Sequence, residues 1–130
     1  MEQPPSKVLV VDDDPPLRKL ARACLEAMGL EVLEASCGRS AIAQLEAAPP
    51  ALVCLDLTLP ELSGYEVCEH MRSSPRLQRV PVLMMSARSN PVDRAYAEEA
   101  GANVFLTKPF TSQTFVSSVR ALLASAGVRP

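Results

Sequence analysis

Five side chains of three chemical kinds stand at the ends of apolar runs in this chain. Asp12 and Asp13 follow Lys7-Val8-Leu9-Val10-Val11, and Asp56 follows Ala51-Leu52-Val53-Cys54-Leu55. Ser86 follows Val80 to Met85, and Lys108 follows Asn103 to Thr107. Three carboxylates drawn into one crevice repel. A pair at about 4 Å costs about 1 kcal/mol in water and about 4 kcal/mol at an effective dielectric near 20. Such a cluster takes up a proton or a cation, and hard oxygen ligands with an open face suit Mg²⁺. An ammonium and a hydroxyl on the same rim could hold phosphoryl oxygens. Each residue also has a plainer reading. Acids before Pro15 and Pro16 cap and complement a helix N-terminus, and Asp14 is the one expected to do only that. Ser86 would otherwise be a turn residue and Lys108 a solvated surface lysine.

The elements that must position these groups follow from periodicity. Short unbroken apolar runs suit strands covered on both faces. Strands are expected at Lys7–Val11, Glu31–Ala35, Ala51–Asp56, Val80–Met85 and Asn103–Thr107, the second carrying acids and therefore lying at an edge. Between them, residues recur at helical spacing: Leu17, Leu20, Ala21, Cys24, Leu25 and Met28, stopped by Gly29; then Ala41, Ile42 and Leu45, closed by Pro49-Pro50. Ser63 is placed to cap a third helix carrying Tyr65, Val67, Cys68 and Met71. Ser89-Asn90-Pro91 opens a fourth, stopped by Gly101. Thr111 caps a fifth with Phe115, Val116, Val119, Leu122 and Leu123 inward.

Five strands alternating with five helices over short connections predict an α/β fold of the flavodoxin-like kind. It is a doubly wound, five-stranded parallel sheet in the order 2-1-3-4-5, with helices on both faces and right-handed crossovers. The carboxyl ends of parallel strands share one edge. The switch point of that order lies between the first and third strands, where Asp12, Asp13 and Asp56 would meet.

Composition narrows the classes. The chain has 130 residues, 48% of them hydrophobic and 22% charged, consistent with one domain that needs no disulfide or metal staple. Net charge is −2 and no basic stripe is visible, which argues against direct contact with nucleic acid. Cys24, Cys37, Cys54 and Cys68 have no C-x-x-C spacing and His70 is the only histidine, so a zinc site is not expected. Free thiols point to a reducing, cytoplasmic setting. No apolar run approaches the roughly 18 residues of a membrane span, and Met1 to Ser6 lacks the pattern of a signal peptide. A loose arm is expected over residues 1–6, one domain over 7–124 and a tail over 125–130. His70 is expected to be a solvated surface residue, and Arg72, Arg76 and Arg79 a solvated basic face.

Taken together, Val10-Val11-Asp12-Asp13-Asp14-Pro15, Leu55-Asp56-Leu57-Thr58-Leu59-Pro60 with Gly64, Met85-Ser86-Ala87 and Leu106-Thr107-Lys108-Pro109-Phe110 resemble a response-regulator receiver domain of two-component phosphorelay signalling. The resemblance runs from Lys7 to about Ala124. It implies that Asp56 accepts a phosphoryl group from a phosphohistidine on a sensor kinase or phosphotransfer protein. It implies that Asp12, Asp13, Asp56 and the backbone carbonyl of Thr58 hold Mg²⁺, one acid often through water. Ser86 and Lys108 would meet the phosphoryl group, and Phe105 would be the aromatic switch. The surface of the fourth helix, fifth strand and fifth helix would then act on a protein target. The implied role is signalling, with no enzymatic activity beyond the domain's own phosphoryl transfer and dephosphorylation.

Departures are local. Thr58 is small two positions after Asp56, Arg88 lies two beyond Ser86, and Ser63 stands where an acid is often found. A phosphohydrolase with an aspartyl-phosphate intermediate would want a second acid at position 58, where threonine stands. A receiver-like scaffold without chemistry is disfavoured by the intact acid, hydroxyl and lysine set. A flavin protein would need a hydroxyl- and glycine-rich loop after the first strand. Whether the domain acts alone or as a piece of a larger DNA-binding regulator or hybrid kinase stays open at the level of sequence.

Overall fold

A computed structural model describes residues 5–127. The elements run β1 (Lys7–Val11), α1 (Pro15–Ala27), β2 (Glu31–Ala35), α2 (Gly38–Ala47), β3 (Leu52–Asp56), α3 (Gly64–Ser73), β4 (Val82–Ser86), α4 (Pro91–Ala100), β5 (Val104–Thr107) and α5 (Ser112–Ser125). All neighbouring strands pair in parallel, in the order β2-β1-β3-β4-β5, so β2 is indeed an edge.

Alternation along each strand sorts the side chains into two cores. Leu9, Val11, Val53, Leu55, Val82 and Met84 face one side, against Leu45 of α2, Val67, Cys68 and Met71 of α3, and Ala97 of α4. Val8, Val10, Leu52, Cys54, Leu83 and Met85 face the other, against Leu25 of α1 and Phe115, Val119 and Leu123 of α5. Cys54 is fully buried, and burial pushes its thiol well above the ordinary range. All four cysteines are free thiols, Cys24 and Cys37 only half-buried. Val116 is also half-buried, between the two faces of α5.

Local chemistry sets the helix ends. Ser63 accepts from the Glu66 amide at 3.2 Å while Glu66 accepts from the Ser63 amide at 3.2 Å, a reciprocal capping box. Asn90 caps α4 by accepting from the Asp93 amide at 2.8 Å, with Pro91 at the first helical position. Thr111 caps α5.

Three strands begin later than periodicity suggests. Pro81 has no N–H to give the ladder, so β4 starts at Val82 rather than Val80. Asn103 spends its side-chain oxygen on the Val82 amide at 2.8 Å, and β5 starts at Val104. β3 starts at Leu52, although the Ala51 amide still reaches the Lys7 carbonyl at 2.8 Å.

The expected solvated basic face holds at Arg76 and Arg79, which are exposed, but not at Arg72. Arg72 donates to the Gly101 carbonyl at 3.0 and 2.8 Å, to the carbonyls of Val80 at 2.8 Å and Gln78 at 3.1 Å, and to the Asn103 side chain at 3.0 Å. It braces the end of α3 against the α4–β5 turn. Gly101 turns the chain at φ 109°, and a Cβ there would stand 2.6 Å from Arg72 Cγ. Arg76 donates to the Glu46 carbonyl at 2.8 Å. His70 is also not simply solvated, since its Nε2 lies 2.7 Å from Glu46 Oε1.

Residues 1–4 of the expected arm and 128–130 of the expected tail lie outside the described residues. Ser6 accepts from the Glu31 amide at 2.9 Å, and α5 continues through Ser125. Among the described residues no helix is long and apolar enough to cross a membrane.

Candidate functional site

Register brings the rim groups level. Val11 pairs with Leu55, Asp56 with Met85, and Ser86 with Thr107, so β1, β3, β4 and β5 end together. The groups that follow them converge. One oxygen from each of Asp12, Asp13 and Asp56 lies within 4.8 Å of the others. Lys108 Nζ donates to Asp12 Oδ2 at 2.7 Å and stands 3.4 Å from Asp56 Oδ2.

Asp12 is fully buried, and each of its carboxylate oxygens accepts a hydrogen bond. Its Oδ1 accepts from the Asp14 amide at 2.9 Å and its carbonyl from Arg18 Nη1 at 2.6 Å, while its amide donates to the Ala35 carbonyl at 3.1 Å. Arg18 is held in turn by Glu34 at 3.0 Å. Asp13 is exposed at the mouth. Asp14 occupies the N-cap position of α1 but its side chain accepts no capping bond, contrary to the expected role. Pro15 and Pro16 leave the Leu17 amide as the first helical donor within reach, and the Asp14 side chain does not take it.

Asp56 is 6% exposed and accepts from the Thr58 amide at 3.2 Å. Burial first, and the Asp12 charge second, push its carboxyl up to about 6, against the pull of Lys108. The lysine is raised as well, which in its case favours the charged form. Burial alone would lower it, but its bond to Asp12 and the charge of Asp56 hold it above its ordinary value. The lysine is thus a fixed cation and one acid too many remains.

That excess has a measurable cost. Asp56 binds its proton more tightly folded than unfolded, so its contribution to stability falls as pH rises from about 4 through about 6. Holding a carboxyl at about 6 instead of about 4 corresponds to about 3 kcal/mol against its ionised form. In a chelator at about pH 7.5, Asp56→Asn should therefore be about 1–3 kcal/mol more stable than the parent to urea. The gap should close at about pH 4 or on adding Mg²⁺. A gap independent of both would show that the Asp56 charge is not frustrated.

Gly64 holds the loop after Asp56 in place. Its amide donates to the Leu57 carbonyl at 2.8 Å. A Cβ there would collide with the Asp56 carbonyl oxygen and stand 2.8 Å from Leu57 Cα, and backbone has no room to yield. We expect Gly64→Ala to cost about 1–3 kcal/mol in urea unfolding, as overpacking does. An unchanged midpoint would refute the close packing.

Ser86 is 2% exposed, and its Oγ accepts from the Arg88 amide at 2.9 Å. The Lys108 amide donates to the Ser86 carbonyl at 2.8 Å, tying the ends of β4 and β5. The Lys108–Pro109 peptide is cis. Phe105 is half-buried against the α2–α3–α4 core with the Arg94 guanidinium 4.9 Å above its ring, and Arg94 also donates to Thr107 Oγ1 at 2.8 Å. Beside it, a cavity of about 510 Å³ opens among Arg94, Glu98, Asn103 and Phe105. Of the seven residues singled out from sequence, Asp12, Asp13, Asp56 and Lys108 meet directly. Ser86 and Thr58 adjoin Asp56 through register and backbone, and Phe105 stands one strand pair deeper.

Sequence reasoning did not find Arg18, which positions the Asp12 backbone, nor the group of Arg88, Asp93 and Tyr65. Arg88 donates to Asp93 Oδ1 at 3.2 Å, and Tyr65 donates to the Asp93 carbonyl at 3.2 Å. No local pattern announces these partners. The available hint was an aspartate at the third position of a helix opening with Asn-Pro.

Residues 8–120 match the family model described as response regulator receiver domain. The DNA-binding dual master transcriptional regulator RpaA of Synechocystis sp. is 37% identical over 117 residues, covering 90% of this chain and 48% of that protein. Protein PilG of Pseudomonas aeruginosa is 29% identical over 119 residues, covering 92% of this chain and 88% of that protein. The crystal structure of the chemotaxis response regulator CheY4 of Vibrio cholerae superposes with a TM-score of 0.87 at 28% identity, covering 92% of this chain and 99% of that one. The chain spans about half the length of RpaA and of most of the curated relatives it matches.

Proposed function

The chain belongs to the response regulator receiver domain family, and from that membership we propose that it is a phosphoacceptor whose Asp56 takes a phosphoryl group from a histidine kinase or phosphotransfer protein. The observation that carries the reading is Lys108 Nζ reaching both Asp12 at 2.7 Å and Asp56 at 3.4 Å, beside three convergent carboxylates.

The residues fit a divalent cation. Oxygens directly bound to one Mg²⁺ at about 2.1 Å stand about 3–4 Å apart. A spread of up to 4.8 Å suits direct ligation by some of the acids and contact through water by another. Asp12, Asp13, Asp56 and the Thr58 carbonyl would hold the ion. When bound, it neutralises the excess acid charge, keeps Asp56 ionised near neutral pH and screens phosphoryl oxygens.

The chain's own residues do the rest. An Asp56 oxygen forms a bond to phosphorus as the donor's P–N bond breaks, the imidazole nitrogen leaving with the electron pair. The Thr58 amide orients the attacking carboxylate through its other oxygen. Lys108 offsets charge on the transferring group. Ser86 turns its hydroxyl from the Arg88 amide toward the new phosphoryl oxygens, and Phe105 and the α4–β5–α5 surface follow. This is a bistable element biased by local charge.

The output is a protein target met through that surface, in a cytoplasmic setting. RpaA is named as DNA-binding for a protein about twice this length. Contact with nucleic acid or membrane is no part of the role proposed for the receiver portion, whose acceptor site is acidic. The domain's chemistry is confined to gaining and losing its own phosphoryl group, over one unit from Lys7 to Ala124.

The test is incubation with acetyl phosphate, with and without Mg²⁺, followed by intact-mass measurement. One added phosphoryl group in the presence of the metal and none in its absence is expected; no uptake in either refutes the reading. Ser86→Ala should still be phosphorylated, but with amide chemical-shift changes around Phe105 reduced by half or more. Full-sized shifts would remove Ser86 from the relay.

A further inference from the structure

α4 presents two flanks. At 3.6 residues per turn, Arg94 and Glu98 fall on the flank that serves the output surface above, while Val92, Tyr96 and Glu99 fall on the other. Val92 is 61% and Tyr96 59% exposed, and among the described residues the remaining large exposed hydrophobic, Leu20, lies on α1. Exposed apolar groups at i and i+4 on one helix face are a stripe rather than scatter.

Two cavities flank Tyr96. One of about 280 Å³ lies between α3 and α4, bounded by Tyr65, Glu69, Tyr96 and Glu99. The other, of about 270 Å³, is bounded by Val92, Ala95, Tyr96 and Glu99. The Tyr65 and Tyr96 rings meet edge to face at 6.2 Å and form the floor. Glu69 and Glu99 rim the cleft from opposite helices, and among the described residues neither is in an ion pair.

We propose that the α3–α4 cleft is a second docking surface, which receives an amphipathic helix of a partner protein bearing aliphatic side chains on one face and Lys or Arg beside them. The apolar stripe, about one turn long on α4 and continued by Tyr65 of α3, offers a seat for the anchors of a helix laid in a groove. The two unpaired carboxylates select basic flanks. A third helix packing against two is the ordinary way to cover such a cleft.

The floor is wired to the acceptor site. Tyr65 donates to the Asp93 carbonyl at 3.2 Å and lies 3.4 Å from Asp93 Oδ1, which also takes Arg88 at 3.2 Å. The Arg88 amide in turn donates to Ser86 Oγ at 2.9 Å. Asp93 is 4% exposed and its Oδ2 is buried with no hydrogen-bond partner, so this junction is held with little to spare. Its regulation rests on the phosphoacceptor reading: when Ser86 turns to the phosphoryl group, Arg88 loses its acceptor, the junction loosens and the cleft weakens.

The test uses isotope-labelled full chain and two capped model peptides of about four turns, one a Leu/Lys/Ala helix and the other its Leu/Glu/Ala counterpart. The lysine peptide should shift the amides of Tyr65, Glu69, Tyr96 and Glu99. Tyr96→Ser should weaken its binding tenfold or more. The exchange Glu69→Lys with Glu99→Lys, both on the surface, should transfer preference to the glutamate peptide. Unchanged affinity in the exchanged protein, or shifts centred on Asp12 and Asp13, overturns the proposal. So does concentration-dependent movement of Tyr96 without peptide, which would make a second copy the occupant. Acetyl phosphate with Mg²⁺ should lower affinity threefold or more. Phosphoryl uptake with unchanged affinity overturns the wiring and leaves the acceptor reading standing. Failure of uptake overturns that reading, while the peptide preference of the unmodified protein still decides the surface.

Discussion

Asp56→Asn will take up no phosphoryl group from acetyl phosphate, with or without Mg²⁺, whereas the parent takes up one. The amide lacks the nucleophilic oxygen pair of a carboxylate, and the substitution changes little else. Asn keeps an oxygen for the Thr58 amide, which donates to Asp56 at 3.2 Å. It also relieves the charge that holds the parent carboxyl up at about 6. Loss of label therefore cannot be ascribed to unfolding, because the variant is expected to be at least as stable as the parent. Asp12 and Asp13 are the competing nucleophiles. Asp12 is fully buried, its Oδ1 accepting from the Asp14 amide and its Oδ2 from Lys108, so a phosphoryl donor has no open approach to it. Asp13 is exposed but lies outside the reach of Lys108 as an ion pair. Hydroxylamine-labile label that persists in Asp56→Asn would move the acceptor to one of these neighbours.

Lys108→Ala will give two effects of opposite sign. The lysine is the fixed cation of the rim, its side chain 21% exposed and paired with a fully buried carboxylate. Without metal, removing it strands Asp12. Breaking such a pair costs about 3–5 kcal/mol in buried settings, and less here because the mouth is open. Mg²⁺ should bind more tightly once the competing positive charge is gone, by about tenfold, since even about 1 kcal/mol of relieved repulsion is several-fold. Phosphoryl uptake should nonetheless fall by about a hundredfold, as when one preorganised charge-stabilising donor is lost. Calorimetric titration of the metal and the rate of mass gain check the two signs. Weaker metal binding together with slower uptake would mean that the variant had merely lost its fold. Undiminished uptake would take Lys108 out of the chemistry.

The two outcomes rest on an arrangement partly legible in the residues themselves. Strand alternation is local, so Val8–Val11, Leu52–Leu55 and Val82–Met85 announced a sheet covered on both faces. Parallel order then put Asp12, Asp56, Ser86 and Lys108 on one rim. The caps at Ser63, Asn90 and Thr111 were readable too, because each bond spans only three residues. Strand starts were less so: Pro81 and Asn103 keep the apolar pattern's neighbourhood but change who supplies the ladder's hydrogen bonds.

Where the partner is far away in the chain, residue type alone misleads. Arg72 and Arg76 look like a solvated basic face, yet Arg72 reaches residues 29 and 31 positions on, because α3 ends against the α4–β5 turn. Asp14 has the right identity and position for a cap, yet its side chain accepts no capping bond. The cleft beside Tyr96 was invisible, since its depth depends on how α3 and α4 splay. Periodicity and short-range chemistry thus determined which elements form and which edge carries the acids. Only the packed structure decided which long side chains meet, because that depends on distances between elements that no local pattern encodes.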